Sequence, residues 1–152
     1  MAITLEVIKA EQKKVSDMIA AFERQTAFAM RFPVSVPAPE LLAGEKWICA
    51  VITPEGAGYH LTLLPGANDG SDHDAQLQWA SEQGGDLPDL TEQALLRSYA
   101  PDEFEKRAYW SKQKHATEAG WAWYTDFSYG HQDITHQTYK LPARAVRRLV
   151  FQ

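Results

Sequence analysis

The sequence predicts an α+β fold: a twisted antiparallel sheet with two short helices inserted into it, preceded by an N-terminal helix. Three observations carry this reading. A strand-length apolar run and an alternating one flank a Gly/Pro turn between Trp47 and Leu64, the signature of a hairpin. Two short segments between Asp72 and Tyr99 carry helix start and stop residues. From Tyr109 onward, aromatic and apolar residues recur with a period of two between turn residues. Three of the five Trp lie there, so the late sheet is where much of the packing is expected.

The whole chain bounds the function before any motif is read. At 152 residues with 45% hydrophobic and 11% aromatic residues, it is long enough for a real core and is not a disordered tail. A net charge of -5 argues against broad attraction to phosphate backbones, and hence against a nucleic-acid partner. The locally basic end (Lys140, Arg144, Arg147, Arg148) is expected to serve a strand edge or salt bridges rather than nucleic acid. A single cysteine, Cys49, rules out an internal disulfide and a Cys-based zinc site. Charges interrupt the apolar residues of Met1 to Lys14, so no signal peptide is expected there. No apolar run reaches the roughly 18 to 20 residues that span a bilayer. The expectation is a soluble chain without membrane insertion, cytoplasmic when made, and reaching the outside, if it works there, by lysis or on a larger particle.

Residues 1–40 read as an N-terminal helix and connector, and residues 41–152 as the main domain. From Lys9 to Gln25, Val15, Met18, Ile19 and Phe22 fall on one narrow helical face. Ile8, Val15 and Phe22 are seven apart, but the pattern covers under three heptads. The expected role is packing on the chain's own domain. The alternative is a homo-oligomer, a trimer, joined through Val15, Met18, Ile19 and Phe22. Phe32 to Pro39 carries three prolines, which forbid helix and favour an extended connector.

In the main domain, Trp47 to Ile52 is continuously apolar, as for a strand buried on both faces. After the turn at residues 53–58, Tyr59, Leu61 and Leu63 take one face, and His60 and Thr62 the other. Cys49 falls mid-strand and is expected to pack. The loop from Pro65 to Asp74 is acidic, yet its spacing lacks the pattern of a calcium loop. Ser71 or Asp72 is instead expected to cap a helix over 73–83 that buries Leu77 with Trp79 or Ala80 and stops at Gly84-Gly85. Asp89 and Glu92 have the spacing of a capping box. The helix they start is expected to turn Ala94, Leu95 and Leu96 inward.

In the late sheet, Trp121, Trp123 and Phe127 share one strand face and are expected in the core; Tyr124 and Asp126 share the other. Tyr129-Gly130 turns into a polar strand over 131–138 that contributes only Ile134 to the core. Residues 139–142 turn again into a last strand over 143–150.

Catalytic and metal readings are weak. Ser111, His115 and Asp126 lack a nucleophile-elbow motif. His131 and Asp133 point to one face of a strand and His136 to the other, so they do not converge on a metal. No cofactor is predicted, and the chain reads as non-enzymatic. Tyr124, Tyr129 and Tyr139 with Asp126, His131, Asp133 and His136 remain as a surface of amphipathic rings and short polar groups, suited to a sugar or a protein partner.

Several segments resemble a known family. Gly85-Asp86-Leu87-Pro88 with Glu92-Gln93-Ala94-Leu95-Leu96, then Tyr109-Trp110-Ser111, Trp123-Tyr124, Asp126-Phe127, Gly130 and Ala143-Arg144-Ala145-Val146-Arg147, occur in the order of a C-type-lectin-like domain of unknown function. That domain is found in phage and prophage proteins and at the C-terminus of a collagen-like bacterial adhesin. The match covers roughly residues 44–149, and departs at Asp89, where threonine is usual, and at Lys112, where serine is usual. The resemblance implies a C-type-lectin-like fold and a receptor- or ligand-binding role. The family's enzymatic relatives use paired cysteines or copper, and Cys49 alone cannot reproduce the former. Two partner classes follow: a cell-surface glycan or protein, and, as the alternative, a host protein bound inside the cell.

Overall fold

A computed structural model describes residues 3–31 and 36–151. The chain divides into two compact units, residues 1–36 and 37–152.

Among its described residues the first unit holds one helix, α1 (Leu5–Arg31), 27 residues long and longer at both ends than the periodicity predicts. No glycine or proline interrupts it before Pro33, and most of its residues are good helix formers. Thr4 Oγ1 accepts a 3.4 Å hydrogen bond from the Val7 amide at its start, and Glu6 lies in the first turn, where the helix dipole favours an anion. Phe32 to Ser35 of the proline connector lie outside the described residues.

The second unit contains three small antiparallel sheets. Strands β1 (Lys46–Ile52), β2 (Gly58–Leu63) and β8 (Val146–Phe151) form the first, in the order β1-β2-β8. The predicted hairpin is present, with Ala50 opposite His60. The burial is reversed, however. β1 is an edge strand, with Trp47 47% and Ile52 48% exposed and Ile48 alone fully buried. It is β2, paired on both sides, that is covered on both faces, so His60 and Thr62 are as buried as Leu61 and Leu63.

Strand β3 (Asn68–Ser71) occupies part of the acidic loop and pairs with β7 (Leu141–Ala143). Asp72 then caps α2 (His73–Glu82) by accepting the Ala75 amide at 2.9 Å. The buried residues of α2 are His73, Gln76 and Ala80; Leu77 and Trp79 are only partly buried against the same cluster. The capping box of α3 (Leu90–Tyr99) forms as expected, with Glu92 N to Asp89 Oδ1 2.8 Å and Asp89 N to Glu92 Oε2 2.9 Å. Of its expected inward residues Leu96 is buried and Leu95 partly so, but Ala94 is exposed, and Glu92 and Gln93 are buried instead. Glu92 and Gln93 go inside because polar partners wait there, which converts an otherwise costly burial into a satisfied one.

The third sheet is β4 (Ala108–Lys114), β5 (Trp121–Asp126) and β6 (Gln132–His136), in that order. Its centre is packed on both faces, whereas β6 and the Lys112–Lys114 end of β4 are exposed or half-buried. Tyr109 and Phe127 join Leu61, Leu63, Leu96 and Val146 in a core on the α3 side. Trp110 and Ala122 join Leu64, Ala80, Leu87 and Ala143 on the α2 side. Gln93 ties α3 to this sheet, donating to the carbonyls of Tyr109 and Trp110 and accepting from Thr125 Oγ1 at 2.6 Å.

The first residue of β5 is likewise open. Trp121, predicted in the core, is 36% exposed, because the covering helix α3 packs at the Thr125 end of β5.

The basic C-terminal residues enter salt bridges. Arg147 pairs with Glu45 at 2.6 Å, Arg148 with Glu92 at 2.6 Å and Asp86 at 2.8 Å, and Arg144 with Glu103 at 3.6 Å. The more exposed Lys140 reaches Asp72 at 3.3 Å.

Candidate functional site

The β5–β6 hairpin positions most of the polar and aromatic residues singled out above. Tyr124 faces Trp110 across β4 and Asp133 across β6. Asp126, two residues on, shares its face, as alternation along a strand requires. A tight turn then reverses the chain: Asp126 N donates to His131 O at 2.9 Å, and Gly130 N to Asp126 O at 2.7 Å. Gly130 takes φ +86°, a left-handed conformation that favours glycine at this position. Asp126 Oδ1 accepts the Ser128 amide at 2.7 Å, and its other oxygen lies 3.8 Å from His131 Nε2.

Tyr124 and Asp126 line a hollow of about 230 Å3 together with Ala108, Thr135, Tyr139 and Leu141. Tyr139 reaches it from the turn after β6, held by a 3.0 Å bond from its amide to the His136 carbonyl. The electrostatics are negative. Burial, then the charges of Asp133 and Asp126, push the Tyr124 phenol up, so it stays a neutral donor. Burial raises the Asp126 carboxyl, but donation from Ser128 and the nearby His131 outweigh it and hold the group below its ordinary value. A hollow lined by an alanine, a leucine, a threonine, two tyrosines and a carboxylate, with Asp133 opposite Tyr124, suits a group that is cationic at its tip and apolar along its stem.

The seven residues do not form one patch. Tyr124, Asp126 and Tyr139 meet at the hollow, with Asp133 and His131 beside them. Tyr129 stands 84% exposed on the turn. His136 is opposite Trp121, on the other face of the sheet, in an edge-on contact at 5.7 Å. There it belongs to an open aromatic shelf with Trp121, Trp123 and His115, the last stacked on Trp123 at 5.8 Å. The shelf was missed because Trp121 and Trp123 read as core. Ala108, Thr135 and Leu141 were missed because nothing local marks a residue that lines a hollow from another strand.

Other candidates are accounted for by local structure. Ser111 is fully buried and its Oγ accepts the Gln113 amide, while His115 Nδ1 accepts the amides of Thr117 and Glu118; they are not a nucleophile and its base. The loop acids turn to different cations, Asp69 to Arg107, Asp72 to Lys140 and Asp74 to Lys114. Among the described residues no group of three or more His, Cys, Asp or Glu is placed to hold a metal ion. Cys49 is half-buried, and burial followed by the charge of Glu92 pushes its thiol up, away from the reactive thiolate.

A larger hollow of about 420 Å3 lies between Pro37 to Leu42 and β8. Its polar groups are already engaged. Trp47 Nε1 donates to His60 Nδ1, so the proton of the neutral ring is on Nε2, which donates to the Pro37 carbonyl at 2.6 Å. Arg147 is held by Glu45 and the Glu40 carbonyl. The smaller hollow on β5 is the one lined by residues singled out above, Tyr124, Asp126 and Tyr139.

No family model, curated protein or solved structure matches the chain. No described helix is long and apolar enough to cross a membrane.

Proposed function

We propose that residues 37–152 form a non-enzymatic, C-type-lectin-like binding head that recognises a partner protein by taking a basic side chain into the β5–β6 hollow. The observation that carries this is the convergence of Tyr124, Asp126 and Tyr139 on one hollow, with Asp133 across the strand from Tyr124. The order of elements supports the lectin-like reading: an opening hairpin, two helices, a three-stranded sheet, and a last strand returning to pair with the hairpin. The motif resemblance to phage and prophage domains supports use as a receptor-binding head, by analogy of fold.

A random-peptide display library selected on the immobilised chain tests this. Enriched peptides should carry Lys or Arg. Their affinity should fall at least about tenfold, or about 1.4 kcal/mol, for the Asp126→Asn/Tyr139→Ala variant. Enrichment without basic residues, or binding indifferent to that variant, refutes the proposal.

The aromatic shelf favours a second reading. Trp121 and Trp123 lie two apart on one strand face beside His136 and His115, an arrangement suited to stacking on sugar rings. Glycan-array binding lost on Trp121→Ala, with peptide binding intact, would favour it over the first.

A further inference from the structure

Helix α1 carries its larger apolar residues in the open. Leu5, Ile8, Val15, Ile19 and Phe22 are each between 47% and 66% exposed. Within Leu5–Arg31 these residues occupy five of the seven positions in an alternation of three- and four-residue steps, 5, 8, 12, 15, 19, 22 and 26, the other two being Gln12 and Thr26. With Leu5 at heptad position a, the a layers are Leu5, Gln12, Ile19 and Thr26, and the d layers are Ile8, Val15 and Phe22. This is three full heptads within one uninterrupted helix about 40 Å long. The opposite positions b and f are mostly polar or small (Glu6, Lys13, Asp17, Arg24, Ala10, Ala20), and Lys13 pairs there with Asp17 at 2.8 Å. The helix therefore has a solvated back and an apolar seam.

We infer that α1 is the assembly element of the chain, joining three copies as a parallel three-stranded coiled coil. The polar layers set the direction. In parallel register Gln12 meets Gln12 and Thr26 meets Thr26, leaving every other layer from Leu5 to Phe22 purely apolar. The full-overlap antiparallel pairing sets Gln12 against Phe22 and Ile8 against Thr26, leaving the Gln12 amide without a matching partner. It would also bring Lys9 near Glu23, but an exposed pair of that kind contributes little beside two mismatched core layers. Thr26 suits a core layer, since its hydroxyl is already satisfied by the Phe22 carbonyl at 2.9 Å.

The number of strands follows from branching. Leu5 at a beside Ile8 at d, and β-branched Val15 at the next d, disfavour a two-stranded coil and suit three or four strands, of which three is the smaller assembly. Met18 at g widens the apolar seam, as a third strand requires. In parallel register the g-to-e neighbours are Glu11 with Ser16 and Met18 with Glu23, so no like charges are opposed.

Sedimentation equilibrium of the full chain at micromolar concentrations is the test. The expected mass is three times the 17.1 kDa of one chain. Ile19→Asp should reduce it to a single chain while the near-ultraviolet circular dichroism of the head is unchanged. Lys13→Glu, on the solvated back, should keep three copies. In a Cys49→Ser background, Leu5→Cys should form disulfide-linked pairs on oxidation, as only parallel strands allow. A single-chain mass for the unaltered protein would mean that α1 packs on its own chain; it would overturn the inference, as would a two-chain mass or an Ile19→Asp variant that stays assembled. Absence of the disulfide would overturn the parallel arrangement.

Discussion

Arg148 meets Glu92 side-on, with Nε 2.6 Å from Oε1 and Nη2 2.7 Å from Oε2. The same guanidinium reaches Asp86 Oδ2 at 2.8 Å, and Tyr59 Oη donates to Glu92 Oε1 at 2.8 Å. This pair links the last strand to both the first turn of α3 and the opening hairpin. Glu92 is 1% exposed, so its charge persists only because every lone pair is used. Replacing Arg148 with Met should cost about 3–5 kcal/mol in urea unfolding, because it strands a buried carboxylate. Replacing both residues with apolar ones should cost less than the Arg148→Met change alone.

Acid should weaken the protein through these same carboxylates. Donation from Arg147 first, with Thr62 and the Leu42 amide, overcomes burial and holds Glu45 at about 2 against an ordinary 4.5. Burial raises Glu92, but donation from Arg148 and the Asp89 amide brings it below its ordinary value. Folded-state values below unfolded ones stabilise above the unfolded value and lose that stabilisation as pH falls. Thermal midpoints should therefore drop as pH falls from about 4.5 towards 2, and the Glu45→Gln variant should show a shallower drop.

A separate step belongs to His73. It is fully buried, with Nε2 bonded to the Ser111 carbonyl at 2.8 Å and an edge-on contact to Trp110 at 5.0 Å. Burial holds it below the ordinary 6.5, despite the raising effect of Ser111. The folded protein thus resists a proton that the unfolded chain accepts. Stability is intact above about 6.5 and should decline as pH falls from there to the depressed folded value. Denaturant unfolding of His73→Phe should lack this limb, even if the variant is weaker overall.

Gly85 should be irreplaceable, and Gly84 far less so. A β-carbon on Gly85 would strike the Val146 carbonyl oxygen and approach Leu64 Cδ1 at 2.6 Å, while its neighbour Asp86 bridges to Val146. Gly85→Ala should cost about 1–3 kcal/mol or more as overpacking. At Gly84 nothing lies within 4 Å, and the penalty is only that of placing a side chain at φ +84°. Paired urea titrations of the two variants give the comparison.

Gln93→Leu should destabilise by about 1–3 kcal/mol. The change keeps the apolar stem but leaves the carbonyls of Tyr109 and Trp110 and the Thr125 hydroxyl without their partner. Pairing it with Thr125→Val should recover part of the loss, read as the coupling in a double-mutant cycle.

What was legible in the sequence was local. Asp72, Asp89 and Glu92 announce their helices because a cap is read from neighbours a few residues away. The hairpin from Lys46 to Leu63 is marked by its own turn. Which of its strands is central was not legible, because that depends on β8 pairing with β2 from the far end of the chain. The same distance hid the burial of Glu92, whose partner Arg148 is 56 residues away. At the site, the period of two correctly put Tyr124 with Asp126 and separated His136 from His131 and Asp133. The hollow itself depends on Leu141 and Tyr139 folding back beside β4 and β5, and no short-range pattern encodes that.

The most direct measurement of the central claim is a 1H–15N chemical-shift titration of the labelled chain with acetyl-Gly-Arg-Gly-amide, run beside acetyl-Gly-Glu-Gly-amide. The account predicts saturable shifts at Ala108, Tyr124, Asp126, Thr135, Tyr139 and Leu141 with the arginine peptide only, abolished by Asp126→Asn/Tyr139→Ala. Equal responses to both peptides, or shifts that map elsewhere while these residues stay still, would contradict it.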